Sequence, residues 1–340
     1  MYTRLIRPLM FRLKPEQAHD FTLQALRIAG AIRPLNWFIR RLLAADQENG
    51  PVVDAFGLTF PNPVGLAAGY DKDGLSWRGL AALGFGHIEI GTVTPRPQAG
   101  NPKPRVFRIP AEEAVINRMG FPGRGSQFVA NRLGSRYSRP DTLILGVNIG
   151  KNKDTPNQEA AQDYLYLLDK FAPLADYLAV NVSSPNTVGL RRLQARENLE
   201  DLLHKLNAAR ARMRVQKPIL VKLAPDLDDA ELDDALEAIV RTEMDGVIAT
   251  NTTISRKKLK SPLGRETGGL SGVPLTGKSL QMVSTIHQRT EGKLPSIGVG
   301  GIMSPQDAKA MLDAGATLVQ VYSGLIYAGP GLVKAILSAL

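Results

Sequence analysis

Cysteine is absent from all 340 residues. That excludes disulfides, thiolate catalysis, iron–sulfur clusters and cysteine-ligated zinc. Histidine is scarce: the four, His19, His87, His204 and His287, show no ligand-like spacing, so no catalytic metal is expected. Long apolar runs are missing too, and none approaches the roughly 20 residues of a spanning helix. The N-terminal stretch is interrupted by arginines, unlike the clean apolar segment of a secretory signal. No basic groove interleaved with aromatics is present, which argues against a nucleic-acid surface. The length suits one large barrel or two ordinary domains.

Charge is present in excess but unevenly. The net charge is +10. Residues 1–44 hold eight basic side chains against Glu16 and Asp20, a net of +6. The remaining 296 residues hold 34 basic and 30 acidic ones, a net of +4. In the basic segment Leu5, Ile6, Leu9, Met10, Phe11 and Leu13 alternate with arginines. Phe21, Ala25, Ile28 and Ile32 share a helical face, and Trp37, Phe38, Ile39, Leu42 and Leu43 form a further apolar cluster. Short basic amphipathic helices of this kind lie readily in an anionic membrane interface. Packing as a helical cap on the rest of the chain explains the same pattern.

From about residue 60, short apolar runs alternate with helical patterns. The runs are Pro63–Gly69, Gly86–Thr92, Leu143–Ile149, Tyr177–Val182, Pro218–Leu223, Gly246–Asn251, Ser296–Gly301 and Leu318–Tyr322. Among the helical segments are Asn198–Arg214, Asp229–Arg241, Gly277–Arg289 and Pro305–Ala314. Continuous apolar strands followed by helices suit a parallel sheet covered by helices. Eight such units predict an α/β protein of the (β/α)8 TIM-barrel class, with its site at the C-terminal strand ends. A doubly wound open sheet is the alternative, but no Gly-x-Gly-x-x-Gly opens the first unit. Two intervals, Pro95–Arg139 and Thr252–Pro274, exceed a plain crossover, and long loops on that face usually serve function.

The strand ends carry the chemistry. Asn181-Val-Ser-Ser-Pro-Asn186 ends a buried run with amides and hydroxyls, polar groups that need partners. Without a thiol, proton abstraction there falls to a hydroxyl, carboxylate, lysine or histidine. The first run ends in Ala67-Ala-Gly-Tyr-Asp-Lys-Asp-Gly74, small residues that admit a flat ligand, with Lys72 for an anion. Asn148, Lys222 and Thr250-Asn-Thr252 repeat the bias towards amides and lysines, suited to a ligand rich in carbonyls. Gly298-Val-Gly-Gly-Ile302 and Tyr322-Ser-Gly324 follow strands seven and eight, the usual phosphate site of such barrels.

Together these segments resemble the dihydroorotate dehydrogenases, specifically the membrane-associated, quinone-dependent class. The likeness also rests on Glu89-Ile-Gly-Thr-Val-Thr-Pro-Arg-Pro97, Ile116-Asn-Arg-Met-Gly-Phe121, Asn148-Ile-Gly-Lys-Asn152, Asn181-Val-Ser-Ser-Pro-Asn-Thr187, Thr250-Asn-Thr-Thr253 and Gly268-Gly-Leu-Ser-Gly272, in that order. It implies a barrel that binds FMN and oxidises dihydroorotate to orotate in pyrimidine synthesis, with a quinone as acceptor. Ser184 resembles the family's catalytic base at carbon 5 of the substrate; cytosolic members use cysteine there. Thr187 and Phe121 match positions of the proton relay. Lys72, Asn117, Asn181, Asn186, Asn251 and Thr252 match substrate contacts, with Arg118, Met119, Gly120 and Phe121 of the same segment beside them. Ala68, Gly69, Tyr70, Asp71, Lys72, Thr92, Asn148, Asn181, Lys222, Thr250, Gly272, Gly301, Tyr322 and Ser323 match the flavin site. Lys222 is expected to face flavin atoms that gain negative charge on reduction.

The resemblance divides the chain into quinone-tunnel helices over 1–44 and a catalytic barrel over 45–340. It assigns His19, Arg105 and Tyr322 to the neighbourhood of the quinone head group. A peripheral monomer on the cytoplasmic side of the cell membrane is expected, bound to its anionic surface. Pro122-Gly123 departs from the family pattern, which has Asn after Phe121. The alternatives are a related FMN barrel with another acceptor, such as fumarate or a nicotinamide cofactor, and a non-catalytic barrel that binds a phosphorylated ligand.

Overall fold

The computed structural model describes residues 2–44, 50–134, 143–187, 189–257 and 259–340. The end of the Pro95–Arg139 interval, one residue of the Thr252–Pro274 interval and the first residues of the 45–340 division lie outside them. Among the described residues there are thirteen strands: β1 (Val53–Ala55), β2 (Leu58–Phe60), β3 (Val64–Leu66), β4 (His87–Val93), β5 (Val106–Ile109), β6 (Ala114–Asn117), β7 (Ile144–Ile149), β8 (Tyr177–Asn181), β9 (Ile219–Leu223), β10 (Gly246–Ala249), β11 (Gly269–Gly272), β12 (Ser296–Val299) and β13 (Leu318–Val321). The strands β3, β4, β7, β8, β9, β10, β12 and β13 pair in parallel and close into a barrel. These eight are the expected runs, seven of them trimmed by one or more residues and β4 shifted one residue towards the C-terminus.

Helices α1 (Arg7–Arg12), α2 (Pro15–Ala31) and α3 (Arg33–Leu43) precede the barrel. Around it run α4 (Trp77–Ala81), α5 (Gly125–Leu133), α6 (Ala160–Phe171), α7 (Arg196–Ala211), α8 (Asp229–Arg241), α9 (Thr276–Arg289), α10 (Pro305–Asp313), α11 (Ser323–Tyr327) and α12 (Leu332–Leu337). Asp228 caps α8 in a reciprocal pair with Glu231, and Ser304 caps α10 through the Asp307 N–H, which fixes where those helices begin.

Strand alternation separates two cores. Outward residues such as Leu66, Ile88, Val147, Val180 and Val221 pack against the helices. Inward residues, among them Tyr177, Ala179, Leu220, Ile248, Ile297 and Leu318, fill the barrel, and Phe56 and Phe60 of the β1–β2 hairpin join them. Glycine makes this interior possible in two places. A Cβ on Gly65 would meet His87 Nε2 at 2.0 Å, and one on Gly146 would meet the Tyr177 ring at 2.1 Å. His87 is fully buried with neither nitrogen partnered, and burial lowers it to about 3, so the ring is neutral.

The two long intervals do more than loop. Residues from each pair as the antiparallel sheet β5–β6–β11, with Asn117 opposite Gly269 and Val115 opposite Ser271. The sheet buries Ile109, Ala114, Ile116 and Leu270 as a small core of its own and stands over the C-terminal end of the barrel.

Candidate active site

Continuing the inward alternation towards the C-terminal ends takes Gly146 to Asn148, Ala179 to Asn181, Leu220 to Lys222, Ile248 to Thr250 and Gln320 to Tyr322. The same pleat that fills the core therefore ends in amides, hydroxyls and a lysine. Of these, Asn181, Lys222, Thr250 and Tyr322 line a cleft at the C-terminal end of the barrel, with Asn148 beneath it. Ala67, Ala68 and Gly69 give it a flat wall, Val299, Gly300, Gly301, Gly272 and Ser323 a glycine-rich end, and Asn117, Met119, Gly120 and Phe121 a roof. Gly301 has a φ of +76°, and a Cβ there would lie 2.2 Å from Thr276 Oγ1, so only glycine fits that turn.

Beneath the cleft the polar groups hold one another. Thr92 Oγ1 donates to Asn148 Oδ1 at 2.5 Å, and Asn181 Nδ2 donates to Thr92 Oγ1 at 2.9 Å and Asn148 Oδ1 at 3.2 Å. Asn148 Nδ2 passes the chain down to Glu89 Oε1 at 2.9 Å. Glu89 is fully buried; Tyr177 Oη and Gln320 Nε2 each donate to its Oε2 at 3.1 Å, and Lys222 Nζ lies 3.8 Å from Oε1. Burial and the Glu89 charge push the Tyr177 phenol well up, keeping it a donor. A buried carboxylate with three donors and a nearby ammonium is a compensated charge. Its effect is to fix Lys222 and Asn148 from below.

The serine loop leaves β8 with its backbone secured. Tyr164 Oη donates to the Asn181 carbonyl at 2.8 Å, and the Asn186 N–H donates to Ser184 Oγ at 3.3 Å. Asn251 Nδ2 donates to Ser183 Oγ at 3.0 Å and Asn186 Nδ2 to Asn117 Oδ1 at 3.1 Å, which joins three loops around Ser184. Three buried atoms here, Asn186 Oδ1, Thr187 Oγ1 and Gln320 Oε1, have no protein partner. Such groups are costly unless something else satisfies them, and Asn186 and Gln320 line the cleft. Phe121 holds a φ of +53°, uncommon for a residue with a side chain. Gln98 Nε2 fixes it there by donating to the carbonyls of Gly120 and Phe121 at 3.1 and 3.0 Å. The Pro122-Gly123 departure is also accommodated, because Gly123 and Gln98 exchange two backbone hydrogen bonds of 3.0 Å.

A second, larger cavity of about 1530 Å³ opens between the N-terminal helices and the barrel. Its walls are mostly apolar, with Met10, Phe11, Ala18, Phe21, Ala25 and Leu26 on one side and Val106, Val115, Leu325 and Ile326 on the other. Lys72, Asn117, Met119, Ser271 and Tyr322 line both cavities and so form the partition between them. On that partition Tyr70 stacks edge-on with His19 at 5.0 Å and with Tyr322 at 5.6 Å. Burial, then the Lys72 charge, lowers His19 to about 3, and burial raises Tyr322 to about 12. Lys72 is lowered to about 8 by burial and by Arg105, while its Nζ donates to the Gly69 carbonyl at 2.6 Å.

Most of the expected residues converge on the cleft, but several do not reach it with their side chains. Asp71 accepts the N–H groups of Leu75 and Ser76 and so braces the turn. Tyr70 faces the apolar cavity, Asn148 sits one layer down, and Arg118 turns to Glu266 at 2.6 Å. Arg105 pairs with Glu16 at 2.7 Å and is absent from the lining of the apolar cavity, whereas Arg108 belongs to it. Glu89, Gln98 and Gln320 are not among the residues expected at the site. The sequence marks Glu89 as a carboxylate in the middle of the apolar run Gly86–Thr92 and as the head of a segment shared with the family.

Comparison with known proteins gives one family throughout. The family model described as dihydroorotate dehydrogenase matches residues 52–340. A curated protein of Roseiflexus sp. named dihydroorotate dehydrogenase (quinone) is 51% identical, covering 99% of this chain and 92% of its own. One of the same name from Flavobacterium lutescens is 52% identical, covering 98% of this chain and 94% of its own. Among solved structures, Eimeria tenella DHODH in complex with ferulenol matches with a TM-score of 0.86 at 38% identity, covering 96% of this chain and 90% of its own.

Proposed function

We propose that the two cavities divide one reaction between them: the chain belongs to the dihydroorotate dehydrogenase family, and within it to the quinone-dependent class, which oxidises dihydroorotate to orotate in pyrimidine synthesis. The observation that carries this reading is the shared partition. A polar cleft and a larger apolar cavity meet at Lys72, Asn117, Met119, Ser271 and Tyr322. Dihydroorotate would enter the first and the quinone head group the second, with the flavin between.

We infer FMN as that flavin. The flat Ala67–Gly69 wall suits a ring system, the glycine-rich end suits a phosphate held by backbone N–H groups, and the unpartnered Gln320 Oε1 awaits a donor. Ala68, Gly69, Lys72, Thr92, Asn181, Lys222, Thr250, Gly272, Gly301, Tyr322 and Ser323 would hold it, with Tyr70, Asp71 and Asn148 shaping the wall and floor. A flavin held there would supply the redox capacity that couples dihydroorotate oxidation to quinone reduction. Lys222 would place its charge beside the ring, and Glu89 below keeps that ammonium in position.

Ser184 is the proposed base that removes the carbon 5 proton. A hydroxyl is a weak base, so the proton must leave quickly. Thr187 Oγ1, buried and unpartnered, is the candidate next carrier, with Phe121 as the other member of the proposed relay. Lys72 would meet the substrate carboxylate, and Asn117, Asn181, Asn186, Asn251 and Thr252 its ring carbonyls and N–H groups. Arg118 would act indirectly, holding the Met119–Phe121 roof through Glu266.

Residues 1–44 are proposed as a quinone tunnel and membrane foot, distinct from the barrel that follows. Leu9, Phe21, Trp37, Phe38 and Leu42 are exposed on these helices, and with +6 of net charge they suit an anionic surface. Among the described residues, no helix is long and apolar enough to cross a membrane. Attachment to the cytoplasmic face as a monomer fits these features, with His19 and Tyr322 nearest the head group and Arg105 supporting them through Glu16. The test is anaerobic: dihydroorotate should bleach the yellow protein, and a quinone should restore its colour. A yellow protein that dihydroorotate does not bleach would exclude the reading.

A further inference from the structure

Arg191 is not explained by the reaction as described. It lies on the short turn Leu190–Gln194 after the serine loop, with its side chain 22% exposed. Its three nitrogens reach three different segments. Nε donates to the Ser183 carbonyl at 3.0 Å, Nη2 to the Thr252 carbonyl at 2.9 Å, and Nη1 to Asp226 Oδ2 at 2.9 Å. Ser183 directly precedes the proposed base, and Thr252 lines the cleft. Asp226 is itself fixed, accepting from Lys278 Nζ at 2.6 Å, from the Thr253 hydroxyl and from the Ile254 N–H at 2.9 Å. Burial alone would raise its carboxyl. The donors from Lys278, Thr253, Ile254 and Arg191 outweigh that and hold it below the usual range, so it is anionic at neutral pH.

We propose that Arg191, anchored by Asp226, is a positioning residue that clasps the Ser184 loop to the Asn251–Thr252 strand end. Base and substrate-holding groups then keep one mutual geometry. The clasp rests on the reading of Ser184 as base. Its logic is the guanidinium fork. A planar group with five donors can serve three acceptors in fixed directions, whereas a lysine ammonium, a compact point charge on a flexible stem, cannot reproduce that arrangement. Neither carbonyl belongs to a strand ladder, so without Arg191 these two carbonyls would lose their shared donor, and the Asn251–Ser183 side-chain hydrogen bond would hold the two loops with less directional constraint.

The test is a double-mutant cycle on the full-length, flavin-loaded protein, comparing Arg191→Lys, Ser184→Ala and both together. Flavin reduction by dihydroorotate is followed by anaerobic stopped flow, and orotate affinity by the spectral change of the oxidised flavin. Arg191→Lys alone should retain flavin and lower the limiting rate about 10- to 100-fold, the size expected for a reacting group displaced by around an ångström. In the Ser184→Ala background it should lower that rate no further, while weakening orotate in both backgrounds through Thr252. A purely structural arginine would instead cost the same factor in rate in both backgrounds, and that result would overturn the clasp. So would parent-like rate and affinity in the single variant. If Ser184→Ala reduces at the parent rate, the assignment of the base is what fails. The clasp then depends on orotate affinity alone, and unchanged affinity in Arg191→Lys overturns it. Should Arg191→Lys fail to fold, Asp226→Asn carries the same cycle, because it removes the anchor and leaves the fork in place.

Discussion

At the barrel mouth Thr92, Asn148, Asn181, Asn251 and Ser183 are bonded to one another side chain to side chain. The N-terminal helices are attached differently. Beside the ion pairs of Glu16 with Lys103 and Arg105, single polar groups meet main-chain carbonyls across the join: Ser76 Oγ donates to Leu23, Asn36 Nδ2 to Arg78, Tyr2 Oη to Ile326, and Arg108 to Met10, Phe11 and Leu13. Of the whole described segment only Ala18, Ala29 and Ala44 are buried apolar residues. The first region is organised before any ligand arrives, as an electrostatic site must be. The second is held at points, which leaves room between helices and barrel for a long apolar molecule. Placing chemistry on one side of the Lys72–Tyr322 partition and access on the other follows from that contrast.

The largest effect that would sharpen the contrast lies wholly on the barrel side. Ser184→Ala should keep its flavin but reduce it about 10²- to 10⁴-fold more slowly, the usual cost of a lost general base. Re-oxidation by quinone should be unchanged, because no helix residue is touched. Near-normal reduction in anaerobic stopped flow would move the base elsewhere.

A smaller effect belongs to the join. Helices α2 and α4 cross at Gly79, where a Cβ would lie 2.0 Å from the Leu26 carbonyl oxygen. Alanine is the better helix former, so harm from Gly79→Ala comes from packing, at about 1–3 kcal/mol for an overfilled contact. Quinone turnover should fall while flavin reduction by dihydroorotate holds. A fall in both, measured side by side, would break the division.

The smallest effect tests the partition itself. With Lys72 lowered to about 8, its ammonium is complete well below that pH and is lost as the pH rises through it. Orotate affinity should be flat near pH 6–7 and weaken by at most tenfold per unit above about 8. Lys72→Met should bind weakly and show no such slope. A flat titration of the parent protein to about pH 9 would remove Lys72 from the carboxylate contact.

Much of this was legible in the residues. The eight barrel strands stand out because parallel strands buried on both faces read as unbroken apolar runs, and Asp229–Arg241 matches α8 residue for residue. The β5–β6–β11 sheet was not legible, because it joins residues about 150 positions apart and pairing across such a gap leaves no local period. Ser184 and its amides were visible as polar groups at a strand end. Glu89 and Arg191 were not, since their importance lies in partners from other segments: Tyr177 and Gln320 for one, Thr252 and Asp226 for the other. Arg105 illustrates the converse. The resemblance assigns it to the neighbourhood of the quinone, and the partner that holds its guanidinium, Glu16 on α2, comes from a distant segment.

The separation of the two regions is tested most directly by deleting residues 1–44 and assaying both half-reactions on the same folded, yellow preparation. Flavin reduction by dihydroorotate should persist, and a small soluble dye should still take the electrons. Oxidation by a long-tailed quinone should collapse. Binding to anionic vesicles should weaken most at low salt, where surface attraction is least screened. Equal loss of dye and quinone activity in that preparation would contradict the account.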